Sequence, residues 1–234
     1  MKNDKDKIVV LTGAGISAES GLATFRDSDG LWNNYDIEDV ATIEAFNRNP
    51  KLVLDFYNWR RAEAAKAQPN AAHIALANLA KHFNVNIITQ NVDDLHERAG
   101  SANVLHLHGK LREVRSTANP NLVYDIDAEP IFIGSLCQQG AQLRPNIVWF
   151  GEDVPKIAEA IVLVEAATKI LVVGSSLQVY PAAGLLHYAP KNAPIFLVDP
   201  KYVDLPYNLQ KRVTVINAPA TIGVTQLVEE WISG

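Results

Sequence analysis

Several groups of residues in this 234-residue chain have types and spacings that could do chemistry. Gly13-Ala14-Gly15-Ile16-Ser17-Ala18 fits G-x-G-x-x-G/A directly after an apolar run. Small residues there let the backbone approach a pyrophosphate, and a following helix N-terminus offers free N–H groups and partial positive charge. A plain strand-to-helix turn accounts for the same letters. Phe25 and Arg26 follow: a guanidinium can meet phosphate bidentately, and an aromatic ring can wall a reactive centre off from water. A surface ion pair and a core aromatic account for them equally well. Tyr57 and Arg60 stand at i and i+3 in a helical segment and so share a face. A phenol hydroxyl plus a guanidinium can bind a carboxylate, although a core tyrosine beside a solvated arginine has the same spacing. His106 and His108 lie two apart, which on a strand puts both on one face, so position alone does not choose between them.

These groups need elements to hold them. Near-continuous apolar runs at 7–13, 85–91, 103–109, 146–151, 169–176, 194–200 and 213–218 read as buried parallel strands. Helical patterns at 50–67, 71–82, 92–99, 156–167, 181–188 and 221–232 alternate with them. The alternation predicts an α/β fold, a Rossmann-like doubly wound parallel sheet. Thr89-Gln90-Asn91-Val92-Asp93, His106-Leu107-His108-Gly109, Gly174-Ser175-Ser176 and Asp199-Pro200 all fall at carboxyl ends of predicted strands, where such sheets bind ligands.

Residues 22–48 and 111–145 break the alternation. They predict a second, smaller inserted module, about 31–69 and 111–145, on a large part of about 1–30, 70–110 and 146–234. A dinucleotide dehydrogenase needs a second strand ending in Asp or Glu about 20 residues after its glycines. No strand pattern precedes "RDSDGLWNNYDIED", so residues 22–32 read as a flap over a ligand.

Bulk composition narrows the classes. A net charge of −5 argues against charge-driven nucleic-acid binding. No apolar run is long enough to span a bilayer, and the "MKNDKDK" start, with charges of both signs, has no signal-peptide core, so a cytoplasmic location is expected. Cys137 is the single cysteine, which excludes an intrachain disulfide and a thiolate cage for zinc.

With "GAGIS", "TFRDSDGLW", "TQNVDDLHERAG", "LHGKL", "RPNIVWFGE" and "VVGSSLQVYPAAGL" in hand, the chain resembles the sirtuin family over roughly residues 7–232. It is similar to bacterial members of the class that includes deacylases acting on acidic acyl groups. The resemblance implies an NAD-dependent protein lysine deacylase whose partners are acylated-lysine proteins, with no nucleic acid, no membrane and a monomeric chain. It implies that Gly13, Ala14, Gly15, Ser17, Phe25, Arg26 and Trp32 wrap NAD. Gln90, Asn91 and Asp93 would orient the nicotinamide ribose and amide, with Asn91 and Asp93 also counted as catalytic. Gly174, Ser175, Ser176, Asp199 and Ala220 would meet the adenosine half. Asp199 departs from the family, where many members carry Asn.

The resemblance further implies that an acyl oxygen attacks the nicotinamide ribose, that nicotinamide leaves, and that His108 then takes a proton from a ribose hydroxyl. A neutral imidazole near physiological pH suits that role, and the following Gly109 matches the family pattern. Tyr57 and Arg60 match its signature for succinyl- and malonyl-lysine, predicting removal of those groups and of acetyl. Val148 and Phe150 would meet the peptide. Most members hold zinc with two Cys-x-x-Cys pairs. Here those positions fall near Ser116 and Asn119 and at Gly134 and Cys137, so no metal is predicted. An NAD-dependent oxidoreductase, a mono-ADP-ribosyltransferase and a non-catalytic NAD sensor are the alternatives.

Overall fold

The apolar runs form the strands they predict, with one exception. A computed structural model of the protein describes residues 6–23, 31–32, 35–205 and 207–234. Its strands are β1 (Lys7–Thr12), β2 (Leu31–Trp32), β3 (Tyr35–Asp36), β4 (Asn84–Thr89), β5 (Val104–His106), β6 (Gly109–Ser116), β7 (Val123–Asp125), β8 (Leu143–Ile147), β9 (Lys169–Val173), β10 (Ile195–Val198) and β11 (Val213–Ile216). The main sheet runs β11-β10-β9-β1-β4-β5, all parallel.

β1 shows why this sheet is apolar throughout. Ile8 and Val10 face one core, with Leu76 and Leu79 of helix Ala71–Leu79 and Val224 and Leu227 of helix Ala220–Ser233. Val9 and Leu11 face the other, with Ala160 and Val164 of helix Ile157–Glu165 and Leu185 of the 3₁₀ helix Ala182–Tyr188. Both faces of the strand are covered, as a doubly wound sheet requires. No helix of the described residues is long and apolar enough to cross a membrane.

The exception is 146–151. β8 ends at Ile147 and pairs antiparallel with β6, in a separate three-stranded sheet β7-β6-β8. An apolar run carries no strand direction, and this one is apolar because Ile147 and Trp149 pack in a third core with Phe46, Leu54 and Tyr57. That core joins the small sheet to helices Ile43–Arg48 and Pro50–Lys66. The long helix starts where Asn49 caps it, its side chain accepting from Leu52 N at 3.2 Å, with Pro50 in the first turn. Buried Arg61 ties it to the small sheet by donating to Leu111 O at 2.6 Å.

Two shorter departures matter for the site. β2 and β3 are a two-residue antiparallel pair and not a second parallel strand. The run 103–109 is also split. β5 stops at His106 and the chain leaves the main sheet at Gly109, where φ is +82°. A side chain there would stand 1.9 Å from Asn146 O, so the turn into β6 admits only glycine.

Candidate active site

Strand order reverses at β1: β4 and β5 lie on one side, β9 and β10 on the other. Ligands of parallel sheets bind at such a point. The turns after β1 and β9 meet there. Gly13 N donates to Val173 O at 3.1 Å and Gly15 N to Gly174 O at 2.9 Å. Beside them opens a cavity of about 550 Å³, within the range of cofactor-sized sites. Its walls include Gly13, Ala14, Gly15, Ser17, Gln90, Asn91, Asp93, His108, Gly174, Ser175, Ser176, Asp199 and Ala220. Tyr57, Arg60, Val148 and Phe150 line the same cavity. Residues far apart in sequence thus share one space because the carboxyl ends of β1, β4, β9 and β10 share one rim. Phe25 and Arg26 lie outside the described residues, and Trp32 is placed by its backbone in β2 alone.

The segment after β4 is cross-braced to the glycine turn. Gln90 Nε2 donates to Ser175 Oγ at 3.1 Å. Asn91 Nδ2 donates to Ser17 Oγ, which donates in turn to Asp93 Oδ2, each at 3.1 Å. Leu95 N donates to Asp93 Oδ1. Burial nonetheless raises the Asp93 pKa above the ordinary carboxylate value, against the pull of those two hydrogen bonds.

The two histidines part company because the strand ends between them. His106 lies buried beneath the rim, with Nδ1 3.0 Å from Asn91 O and Nε2 2.8 Å from Glu97 Oε1. Burial opposes ionisation of Glu97, but His106 and Lys110 together outweigh it and hold its carboxyl at about 2. His108 lines the cavity, and its Nδ1 lies 3.1 Å from Gln90 O. A carbonyl only accepts, so Nδ1 carries the proton and Nε2 holds the lone pair. Burial lowers the His108 pKa below 6.5 and so keeps the ring neutral at physiological pH, with the Gln90 hydrogen bond pulling the other way. It is a basic nitrogen in a cleft.

Tyr57 and Arg60 project from one face of the Pro50–Lys66 helix. Tyr57 is buried, and Trp149 Nε1 donates to its hydroxyl at 2.9 Å. The Arg60 guanidinium sits 5.8 Å and 5.9 Å from the Phe56 and Tyr57 ring centroids. Burial raises the phenol pKa and lowers that of Arg60. The phenol stays protonated, and the guanidinium, the most basic of side chains, stays charged. The pair can therefore donate to an anionic group entering the cavity.

In the small module, Cys137 Sγ lies 3.3 Å from Ser116 Oγ, and that oxygen accepts from the amides of Ala118 and Asn119. Gln142 reaches across the loop: Nε2 donates to the carbonyls of Phe132, Ser135 and Leu143, and Oε1 accepts from Gly134 N. Among the described residues, no group of three His, Cys, Asp or Glu side chains could hold a metal ion.

Three residues here escaped the sequence reading. Glu97 and Gln142 offered no spacing signal, because their partners are set by the fold. Trp149 offered one: a buried indole N–H needs an acceptor, and a tyrosine hydroxyl is a common one.

Comparison with known proteins follows the same lines. The Sir2 family model matches residues 13–181. An NAD-dependent protein deacylase of Helicobacter pylori (strain ATCC 700392 / 26695) is 56% identical over 234 residues, covering 99% of this chain and 98% of the relative. One from Bacteroides thetaiotaomicron is 50% identical over 232 residues, covering 97% of each. Among solved structures, a Sir2 homologue in an NAD complex superposes with a TM-score of 0.85 at 40% identity, over 97% of this chain and 89% of that one. A mutant Sir2 homologue bound to ADP-ribose gives 0.87 at 40% identity, over 97% and 93%.

Proposed function

The chain belongs to the Sir2 family, and from that premise we propose that it is an NAD-dependent protein lysine deacylase that removes acetyl groups and, through Tyr57 and Arg60, succinyl and malonyl groups. The observation that carries this reading is the single cavity lined by the glycine turn, by His108 and by the Tyr57–Arg60 pair.

The residues present fit a dinucleotide. The cavity has the size of a cofactor site, backbone turns without side chains flank it, and hydroxyl and amide groups of Ser175, Ser176, Gln90 and Asn91 line it. Gly13 to Ser17 would hold the pyrophosphate, Gly174 to Ser176 with Asp199 and Ala220 the adenosine half, and Gln90, Asn91 and Asp93 the nicotinamide half. When bound, NAD supplies an electrophilic ribose carbon with nicotinamide as leaving group.

The chain's own groups do the rest. Asn91 and Asp93, tied through Ser17, present fixed polar groups at the end of β4. His108 Nε2 takes a proton from a ribose hydroxyl, and Gln90 O holds the ring in the tautomer that can do so. Tyr57 and Arg60 donate to the terminal carboxylate of a succinyl or malonyl group. Val148 and Phe150 offer strand edge to the substrate backbone. With one water consumed to release the amine, the expected products are nicotinamide, the free lysine and O-acyl-ADP-ribose.

Nicotinamide release measured with acetyl-, malonyl- and succinyl-lysine peptides tests the reading. Release that depends on acyl peptide supports it. Tyr57→Phe combined with Arg60→Met should cut kcat/KM on succinyl-lysine about a hundredfold or more, two charge-assisted hydrogen bonds' worth, and far more than on acetyl-lysine. Intact desuccinylation in that variant, or protein left carrying ADP-ribose, would overturn it.

A further inference from the structure

We propose that Trp149 is a positioning residue for acyl selectivity, fixing the Tyr57 hydroxyl as a hydrogen donor toward an acidic acyl group. This rests on the reading of the cavity given above and names a residue that acts through Tyr57.

The argument is one of donor and acceptor counts. A phenol has one proton to give and two lone pairs. Trp149 Nε1, a donor only, occupies one lone pair at 2.9 Å. The Arg60 guanidinium, also a donor only, is the other polar group at this ring, with Cζ 5.9 Å from the Tyr57 ring centroid. Neither neighbour can accept the hydroxyl proton. The hydroxyl proton is left as the one thing Tyr57 can offer the cavity.

A ligand group that accepts is rewarded there, and a group that cannot accept leaves a buried donor unmet. The terminal carboxylate of succinyl- or malonyl-lysine accepts. The methyl of acetyl-lysine does not.

The indole is held against rotation. Arg144 Cζ lies 3.4 Å over its ring centroid. Arg144 in turn forks onto Glu152, Nη1 to Oε1 at 2.8 Å and Nη2 to Oε2 at 2.9 Å. Glu152 Oε2 also accepts from Trp149 N at 2.8 Å, and Arg115 Nη2 donates to Oε1 at 3.0 Å. The ring of Phe46 packs beside the indole at 5.3 Å. With the buried guanidinium on its face, the indole N–H has one direction, toward Tyr57.

Trp149→Phe keeps an aromatic ring and removes the donor. The ratio of kcat/KM on succinyl-lysine peptide to that on acetyl-lysine peptide is expected to fall about tenfold, the worth of one hydrogen bond, with the change in KM for the succinyl peptide. An unchanged ratio, including equal losses on both peptides, overturns the proposal and assigns Trp149 to packing.

A second measurement needs no Trp149 variant. The chain has four tryptophans, and indole N–H resonances of wild-type protein can be assigned through Trp32→Phe, Trp59→Phe and Trp231→Phe. The Trp149 resonance should move when succinyl-lysine peptide is added and stay when acetyl-lysine peptide is added. Equal movement with both, or none with either, contradicts it. Wild-type protein that does not turn over succinyl-lysine would instead remove the reading of the Tyr57–Arg60 pair.

Discussion

Gly15 and Gly174 lie back to back where the strand order reverses: a Cβ on Gly15 would stand 2.6 Å from Gly174 Cα, and one on Gly174 2.4 Å from Ile16 N. The glycines of the first turn serve the packing of one turn on another as well as the approach of a ligand. Gly174 also has φ of +58°, a conformation that favours glycine. Gly15→Ala is expected to cost about 1–3 kcal/mol of stability through overpacking and to weaken NAD binding. Gly184→Ala, whose Cβ would meet only the Tyr180 ring at 3.6 Å, should be near neutral. Urea midpoints and calorimetric NAD titrations of the two variants check this, and equal midpoints would contradict it.

His108 offers a prediction in pH. Burial holds its folded pKa below 6.5, so the ring remains an acceptor on the acid side of neutrality. The acid limb of kcat/KM should therefore fall below pH 6.5, and His108→Ala should lower the rate by about 10²–10⁴. A limb centred above pH 6.5 would assign the base elsewhere.

Acid should also destabilise the fold through two histidines outside the cavity. His73 and His96 are buried, their ring centroids 4.9 Å apart, and His96 Nε2 lies 3.0 Å from Thr12 Oγ1. Burial lowers His73 to about 4, and burial with the neighbouring His73 and His106 lowers His96 to about 3. The unfolded chain binds these protons near pH 6.5 and the folded chain does not. Stability is thus lost as pH falls below 6.5, by up to about 1.4 kcal/mol per pH unit for each group, until the folded values are reached. The urea midpoint should drop between pH 7 and pH 5, with a shallower slope in His96→Gln. Equal slopes would refute the assignment.

The small module should stand without metal. Gln142→Ala removes one acceptor and the donor to three carbonyls, and is expected to cost about 1–3 kcal/mol. Chelator should leave the melting temperature unchanged, and metal analysis should find less than one zinc per chain. Stoichiometric zinc would overturn this.

The parallel sheet was legible because β1, β4, β9 and β10 are covered on both faces, so apolar residues dominate each of them in place of a one-sided alternation. Direction was not: Ile147 and Trp149 are apolar for the same reason, yet they belong with an antiparallel sheet. The rim was legible because turns with Gly, Ser and Asn close several runs at the same relative place. Pairing across the rim was not. Trp149 meets Tyr57 across 92 positions, and Glu97 meets His106 across the turn from helix Leu95–Arg98 to β5. Strand alternation put His106 and His108 on one face, and the end of β5 at His106 separated them.

The reversal of strand order has a consequence for how the protein is made. Gly13 and Ala220 line one cavity, so the first and last thirds of the chain both build it. β1 ends at Thr12, its neighbour β4 begins only at Asn84, and its other neighbour β9, with the glycine turn, begins only at Lys169. The cavity walls therefore cannot come together until β9 and the turn after it have been made, and the contacts that close them, Gly13 N to Val173 O and Gly15 N to Gly174 O, are far from local.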